Sequence, residues 1–407
     1  MLMLDPVQTL AMGAVSLFIG YLACRFVPVL ARYNIPAAVV GGLLVALVAL
    51  AGHGRGVEIF RFDTALQGPL MIGFFTSIGF NASLALLRVS GRQVAVMLAL
   101  ATLFAVGQNL VGMGVAVSFG LHPLFGVLAG STTLTGGPAT GLAFAPLFEQ
   151  AGVHGAHSVA MAAAMAGIVC GGVVGGPAAT WVIHRCGLKR AAAARLVREP
   201  AGDAGIDFDE DIGVLPDESG DAQVRTLLTS LGLILVAMWV GGWISGGFER
   251  LGVTLPAYIG AMLMGACLRN VDDATGWLRL PLHTLEVLGN VALSLFLAVA
   301  LMNLRLWELS GLALPLLVLL AVQVGLAALS CWLVFGLMGR DYDAAVMGGG
   351  FIGFILGTTA NAMAVMRTLV ERYGQAPRAF LVVPLVGAFF IDFSNAMVIT
   401  GFVNLFK

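Results

Sequence analysis

Apolar stretches near twenty residues recur along the chain, separated by short polar breaks. About 20 apolar residues in a helix cross ~30 Å of hydrocarbon, so the pattern predicts spans at 7–24, 36–52, 67–86, 93–118, 157–183, 226–247, 255–268, 284–302, 312–338 and 379–404. Two further stretches, 123–148 and 344–366, are apolar but too rich in Gly and Thr to be ordinary spans. One long polar interval, 184–225, opens with basic HRCGLKR and continues into GDAGIDFDEDIGVLPDESGD with no apolar period; it holds nine of the 22 acidic residues. Low hydrophobicity with clustered charge marks a solvated linker. The predicted organisation is a five-span unit over 1–183, a charged linker over 184–225 and a second five-span unit over 226–407.

The two units repeat one another at an offset of 220 residues: Pro36 falls on Pro256, Gly130 on Gly350, Gly137 on Gly357 and Gly167 on Gly387. IPAAVVGGLLVAL thus aligns with LPAYIGAMLMGAC at the start of the second span of each unit. Five spans is an odd number, so the second copy must sit upside down relative to the first, the inverted-repeat plan of many secondary transporters. The fold class expected is an all-α polytopic membrane protein, with two inverted repeats of five transmembrane helices and a re-entrant hairpin in each.

Composition agrees, since 59% of residues are hydrophobic and 11% are charged, against roughly 25% charged in soluble domains. The first apolar run follows Asp5 rather than Lys or Arg and has no small-residue cleavage site after it, so it reads as a retained helix rather than a signal peptide. Cytoplasmic loops retain Lys and Arg. With the N-terminus outside, all but Arg55, Arg61, Arg250, Arg305 and Lys407 of the 21 basic residues fall on the cytoplasmic side, which predicts ten spans with both termini outside. A net charge of −1 offers no basic footprint for nucleic acid. The five cysteines lie in or beside spans without metal or disulfide spacing and read as helix filler.

Candidate chemistry concentrates in the two odd segments, GSTTLTGGPATGLAFAPLF at 130–148 and GGGFIGFILGTTANAMAVM at 348–366. Interrupted apolar segments at matching places in two repeats point to a binding site at the repeat interface. Non-helical backbone survives at membrane depth only when buried in protein or lining a wet cavity. The hydroxyls of Ser131, Thr132, Thr133, Thr135, Thr140, Thr358 and Thr359, with Asn361, would there surround a carboxylate or a cation; alternatively they bond their own backbone or a neighbouring helix. Gly137 and Gly357 would let backbone N–H groups approach a ligand closely.

Asp392, in FFIDFSNAMVI, is the one acid the sequence places well within a span, and Asn395 lies three residues on, on the same helical face. A carboxylate there costs about 2.5–3.5 kcal/mol on insertion scales, so it needs a partner or a function. Asn109, preceded by Gln108, is a second intramembrane polar site or a helix-packing hydrogen bond. No Lys or Arg lies deep in a span, so an anionic solute would be met by helix N-termini, backbone N–H groups and bound cations. These features together predict ion-driven transport of a small anionic solute rather than an enzyme, whose cluster of titratable side chains is missing. Other matches fail on context: Gly348, Gly350 and Gly353 form a GxGxxG inside an apolar span, Gly172 and Gly176 form a packing GxxxG, and His154 and His157 have no further ligands beside them.

GSTTLTGG in the first unit, with ALSLFLAVALMNLRLWEL, DYDAAVM and LVVPLVGAFFIDFSNAMVI in the second, resembles the bacterial glutamate:sodium symporter family over nearly the whole chain. The resemblance implies sodium-coupled uptake of L-glutamate across the bacterial inner membrane by alternating access, with both termini periplasmic and Na⁺ as coupling ion rather than a resident cofactor. It also implies homodimers embedded in lipid, in which a domain carrying the hairpins slides elevator-like against a fixed scaffold. On that reading Ser131, Thr132, Thr133, Thr135, Gly136, Gly137, Thr140, Gly357, Thr358, Thr359 and Asn361 hold substrate, while Asp392, Asn395 and Asn109 hold Na⁺. The tips depart from the family pattern. Where relatives carry GGHGTG this chain has Gly136 to Gly141 as GGPATG, and where they carry GATPTA it has GTTANA from Gly357 to Ala362. Those changes alter donors and backbone freedom, so a symporter for another dicarboxylate or amino acid, or one coupled to protons, is the alternative.

Overall fold

The computed structural model describes the chain except residues 1, 33–34, 86–90, 189–219, 251–256 and 407. The linker expectation at 184–225 therefore lies largely outside the described residues, as does Pro256. The first helix, α1 (Pro6–Phe26), starts where the sequence provides a complete cap. Asp5 Oδ1 accepts from the Gln8 amide at 2.8 Å, Gln8 Oε1 accepts from the Asp5 amide at 3.1 Å, and Pro6 follows the cap. Such a cap is worth about 1 kcal/mol. Ahead of it, Leu2–Leu4 pairs in parallel with Phe60–Phe62, a two-stranded addition to the all-α expectation.

The helices that follow are α2 (Pro28–Arg32), α3 (Ala37–His53), α4 (Gln67–Asn81), α5 (Gly91–Ser118), α6 (Pro123–Val127), α7 (Gly137–Gln150) and α8 (Ala156–Arg185). The second unit contributes α9 (Gly220–Arg250), α10 (Ala257–Thr275), α11 (Leu282–Met302), α12 (Ala313–Leu337), α13 (Tyr342–Ile355), α14 (Thr359–Tyr373), α15 (Pro377–Leu385) and α16 (Ile391–Phe406). Among the described residues six helices, α1, α5, α8, α9, α11 and α12, are long and apolar enough to cross a membrane, and the protein is a multi-pass membrane protein. The other expected spans are shorter, more polar or interrupted. α3 has 17 residues and α4 has 15, α10 carries Arg269, Asp272 and Asp273 in its last turns, and the last span is divided by a π-helical turn, Val386–Phe390. The π-helical turn begins two residues after Pro384.

Helix starts in the second half fall 220 to 222 residues after those in the first: α3 begins at residue 37 and α10 at 257, α7 at 137 and α14 at 359, α8 at 156 and α15 at 377. Contacts between the halves are reciprocal. α3 packs on α11 as α10 packs on α4, α1 on α11 as α9 on α4, and α8 on α12 as α16 on α5. Packing also sorts the helices into two bundles. One holds α1, α3, α4, α9, α10 and α11; the other holds α5 to α8 and α12 to α16. Contact between the bundles is sparser and mostly apolar: Leu142 and Met161 lie with Val39, Phe296 and Leu301, and Phe144 meets Tyr258, which stacks on Phe75 at 4.4 Å, while Ser158 donates to the Arg305 carbonyl at 2.9 Å. At the rim of the first bundle, the Leu280, Arg279 and Leu278 amides donate to Asp272 and hold its carboxyl below the usual carboxylate range.

Candidate functional site

Both odd segments are helical hairpins within the second bundle, and each is broken at its tip. In the first, α6 runs into a π-helical turn, Leu128–Thr132, in which Gly130 leaves helical geometry at φ −98°, ψ −126°. A Cβ at Gly130 would sit 3.0 Å from Asn109 Oδ1 and 3.2 Å from the Gln108 carbonyl, so the break lies directly against α5. The chain re-enters a helix at Gly137, whose φ of +68° favours glycine. In the second hairpin α13 ends at Ile355, and Thr358 caps α14 by accepting from the Asn361 amide at 3.4 Å. The tips meet, since a Cβ built on Gly137 would lie 3.6 Å from the Gly357 carbonyl and 4.0 Å from Thr358 Cγ2. Two helix N-termini, those of α7 and α14, thus begin beside one another, that of α7 buried and that of α14 half-exposed, each with amide groups that lack intrahelical partners.

The structure sorts the expected substrate residues by what they already bond. Thr133 donates to the Leu128 carbonyl of its own hairpin at 2.8 Å. Thr135 reaches Gln108 Oε1 at 2.6 Å, and Asn361 Nδ2 donates to the Ile168 carbonyl at 2.8 Å. Thr140 is buried beside Gly136, and Thr358 and Thr359 are half-buried. Ser131 Oγ and Thr132 Oγ1 are fully buried and have no hydrogen-bond partner. An unpartnered buried hydroxyl costs about 1–3 kcal/mol.

Those two hydroxyls belong to a knot that includes two of the three expected ion ligands. Asn109 Oδ1 accepts from the Ser131 amide at 3.0 Å, and Asn395 Nδ2 donates to the Ser131 carbonyl at 2.9 Å. Asn395 Oδ1 and Asn109 Nδ2 are left buried and unpartnered. Three neutral oxygens, on Ser131, Thr132 and Asn395, therefore lack donors on residues tied together through one backbone position. Neutral oxygens of this kind are what a hard cation takes as ligands. Asp392 is half-buried one helical turn before Asn395, and among the described residues it makes no hydrogen bond or ion pair.

Two carboxamides that the sequence reading did not assign complete the surroundings: Gln108 bonds both tips, and Gln323 Nε2 donates to the Gln108 carbonyl at 2.7 Å. A lone carboxamide in an apolar window is the signal that could have found Gln323. Asp343, at the base of the second hairpin, is a buried acid that the sequence reading overlooked; it accepts from the Arg378 amide at 3.2 Å. Among the described residues no group of three or more His, Cys, Asp or Glu is arranged to hold a metal ion.

The sequence profile of the family described as Sodium/glutamate symporter matches residues 2–375 of this chain. A protein of Haemophilus influenzae named Sodium/glutamate symporter is 38% identical over 96% of this chain and 95% of its own length. One of Escherichia coli with the same name is 40% identical over 99% of this chain and 98% of its own length.

Proposed function

The chain belongs to the sodium/glutamate symporter family, and on that premise we propose that it carries L-glutamate inward across the bacterial inner membrane, coupled to Na⁺. The observation that carries this reading is the meeting of two broken-helix tips at Gly137 and Gly357 beside a knot of unpartnered oxygens. Helix N-termini carry roughly half a positive charge each, so those of α7 and α14 receive the substrate carboxylates without a Lys or Arg. The Ser131, Thr132 and Asn395 oxygens, with Asp392 adding charge, receive Na⁺. Asn109 positions Ser131, and Thr358, Thr359 and Asn361 line the substrate side.

Alternating access follows from the two bundles. The hairpin bundle moves as a unit, elevator-like, against the bundle of α1, α3, α4, α9, α10 and α11, across an apolar seam that forms few directional bonds to break. The fixed bundle is the natural place for homodimer contacts, and both termini face the periplasm. Reciprocal packing of the halves supports inverted repeats. Cysteines at Gly152 and Gln375, in the loops at the hairpin bases, should then label from opposite sides. The function itself is tested by labelled glutamate uptake into proteoliposomes. An inward Na⁺ gradient should drive accumulation, and unlabelled L-glutamate should compete best. Accumulation driven equally well by a proton gradient alone would favour the second reading, proton coupling, to which the unpaired carboxyl of Asp392 lends itself.

A further inference from the structure

A helix broken inside a membrane leaves its last carbonyls without intrahelical partners, and at that depth each must find a donor elsewhere. The carbonyl of Ile355, the last residue of α13, lies 3.2 Å from Gln108 Nε2 and 3.3 Å from Thr135 Oγ1. Thr135 has a single hydroxyl proton, and its nearer acceptor is Gln108 Oε1 at 2.6 Å. That proton therefore goes to Gln108, which leaves the Gln108 carboxamide as donor to Ile355. The opposite orientation of the amide would aim its oxygen at a carbonyl oxygen, so the network fixes which end is which. Gln108 is fully buried, and its own carbonyl is held by Gln323 from α12. Its neighbour Asn109 grips the Ser131 amide.

We propose that Gln108 is a positioning residue that seats the tip of the second hairpin against the first, through Ile355 on one side of its carboxamide and Thr135 on the other. Consecutive residues of α5 then serve the two ligands. Asn109 shapes the oxygen knot and Gln108 the closure of the substrate side, so disorder at one tip is felt at the other. The functional part of this inference rests on the transport reading above; the mechanical part does not.

The test reads the second tip directly. In protein whose native cysteines are replaced by serine, a cysteine at the exposed Ala360 is titrated with N-ethylmaleimide in the absence of Na⁺ and glutamate. Gln108→Met keeps the bulk but has neither donor nor oxygen acceptor, and should raise the labelling rate about tenfold, the scale of losing one or two buried hydrogen bonds. Thr135→Val provides the second variant: it keeps the shape of the side chain and removes the hydroxyl that ties the first hairpin to the Gln108 carboxamide, so its labelling rate should rise severalfold. Labelling of Gln108→Met at the unsubstituted rate would overturn the proposal. If that variant does not insert, a Thr135→Val rate equal to the unsubstituted one overturns it alone. Failure of glutamate uptake by the unsubstituted protein, with these labelling rates as expected, would refute the transport reading and leave the positioning role standing.

Discussion

The two hairpins share a Gly-rich, Thr-bearing sequence pattern and differ in how their tips are held. In the first, residues 131 to 135 are all buried, and hydrogen bonds reach the tip from α5 through Gln108 and Asn109 and from α16 through Asn395. In the second, Thr358 and Thr359 are half-exposed and Ala360 is exposed, and the tip is held by Asn361 on Ile168 and by Gln108 on Ile355. On the proposed reading the first tip is a fixed wall that carries the unpartnered oxygens, and the second, seated on it, is the part that moves away. Two hairpins alike in pattern are thus surrounded by unlike side chains.

The largest effect should come from filling the space between the tips. Gly137 sits at φ +68°, where a β-branched residue is a steric outlier, and the left-handed region costs an ordinary residue roughly 1–2 kcal/mol. At Gly357 the obstacle is different, since a Cβ would lie 2.5 Å from Asn361 Nδ2. Gly137→Val and Gly357→Val should both abolish uptake at matched amounts of inserted protein. The alanine variants sharpen the comparison. Gly357→Ala meets the Asn361 amide and two backbone atoms, the Gly353 carbonyl at 3.1 Å and Ile168 Cα at 3.2 Å, and should lose most of its transport, while Gly137→Ala has room at the tip but keeps its backbone strain and should lose less. Normal uptake in both valine variants would reduce these glycines to packing.

A smaller, selective effect is expected at Asp392, on the fixed-wall side. Asp392→Asn keeps the size and removes the charge beside the oxygen knot. The Na⁺ concentration for half-maximal uptake should rise about tenfold, equivalent to about 1.4 kcal/mol of lost ion binding, with a lesser change in the glutamate requirement. An unchanged Na⁺ requirement in folded protein would remove Asp392 from the ion site and make its carboxyl a structural group.

Much of this asymmetry could not be read from the sequence. The broken hairpins and their Gly-Thr tips were legible because each is a local departure from an apolar pattern, and the structure breaks the helices within those segments. The partners of the tips were not legible. Gln108 meets a carbonyl 247 residues away, and nothing in its own apolar window names that partner. Nor does periodicity say which bundle a span joins, because lipid and a neighbouring helix ask for the same apolar surface. Thr132 and Thr133 are adjacent and chemically identical in the sequence. Only the path of the π-helical turn gives one a backbone partner and leaves the other without any.

That pair offers the finest test of the fixed-wall reading, since valine is close in shape to threonine and removes the hydroxyl. The Thr133 hydroxyl donates to the Leu128 carbonyl and closes the broken turn from within. Thr133→Val leaves that carbonyl short of a donor and should lower stability by about 1 kcal/mol, with the Na⁺ requirement unchanged in the protein that folds. Thr132 presents the opposite case. Its hydroxyl is buried without a partner, so Thr132→Val removes a desolvation penalty and should leave stability equal or slightly higher. If Thr132 Oγ1 is an ion ligand, the same variant should raise the Na⁺ concentration for half-maximal uptake severalfold. Thermal unfolding in detergent and Na⁺ titration of uptake, run on both variants, therefore move in opposite patterns. A Thr132→Val protein that is less stable with an unchanged Na⁺ requirement would place that hydroxyl in the fold rather than in the ion site, and the first tip would lose its claim to hold the cation.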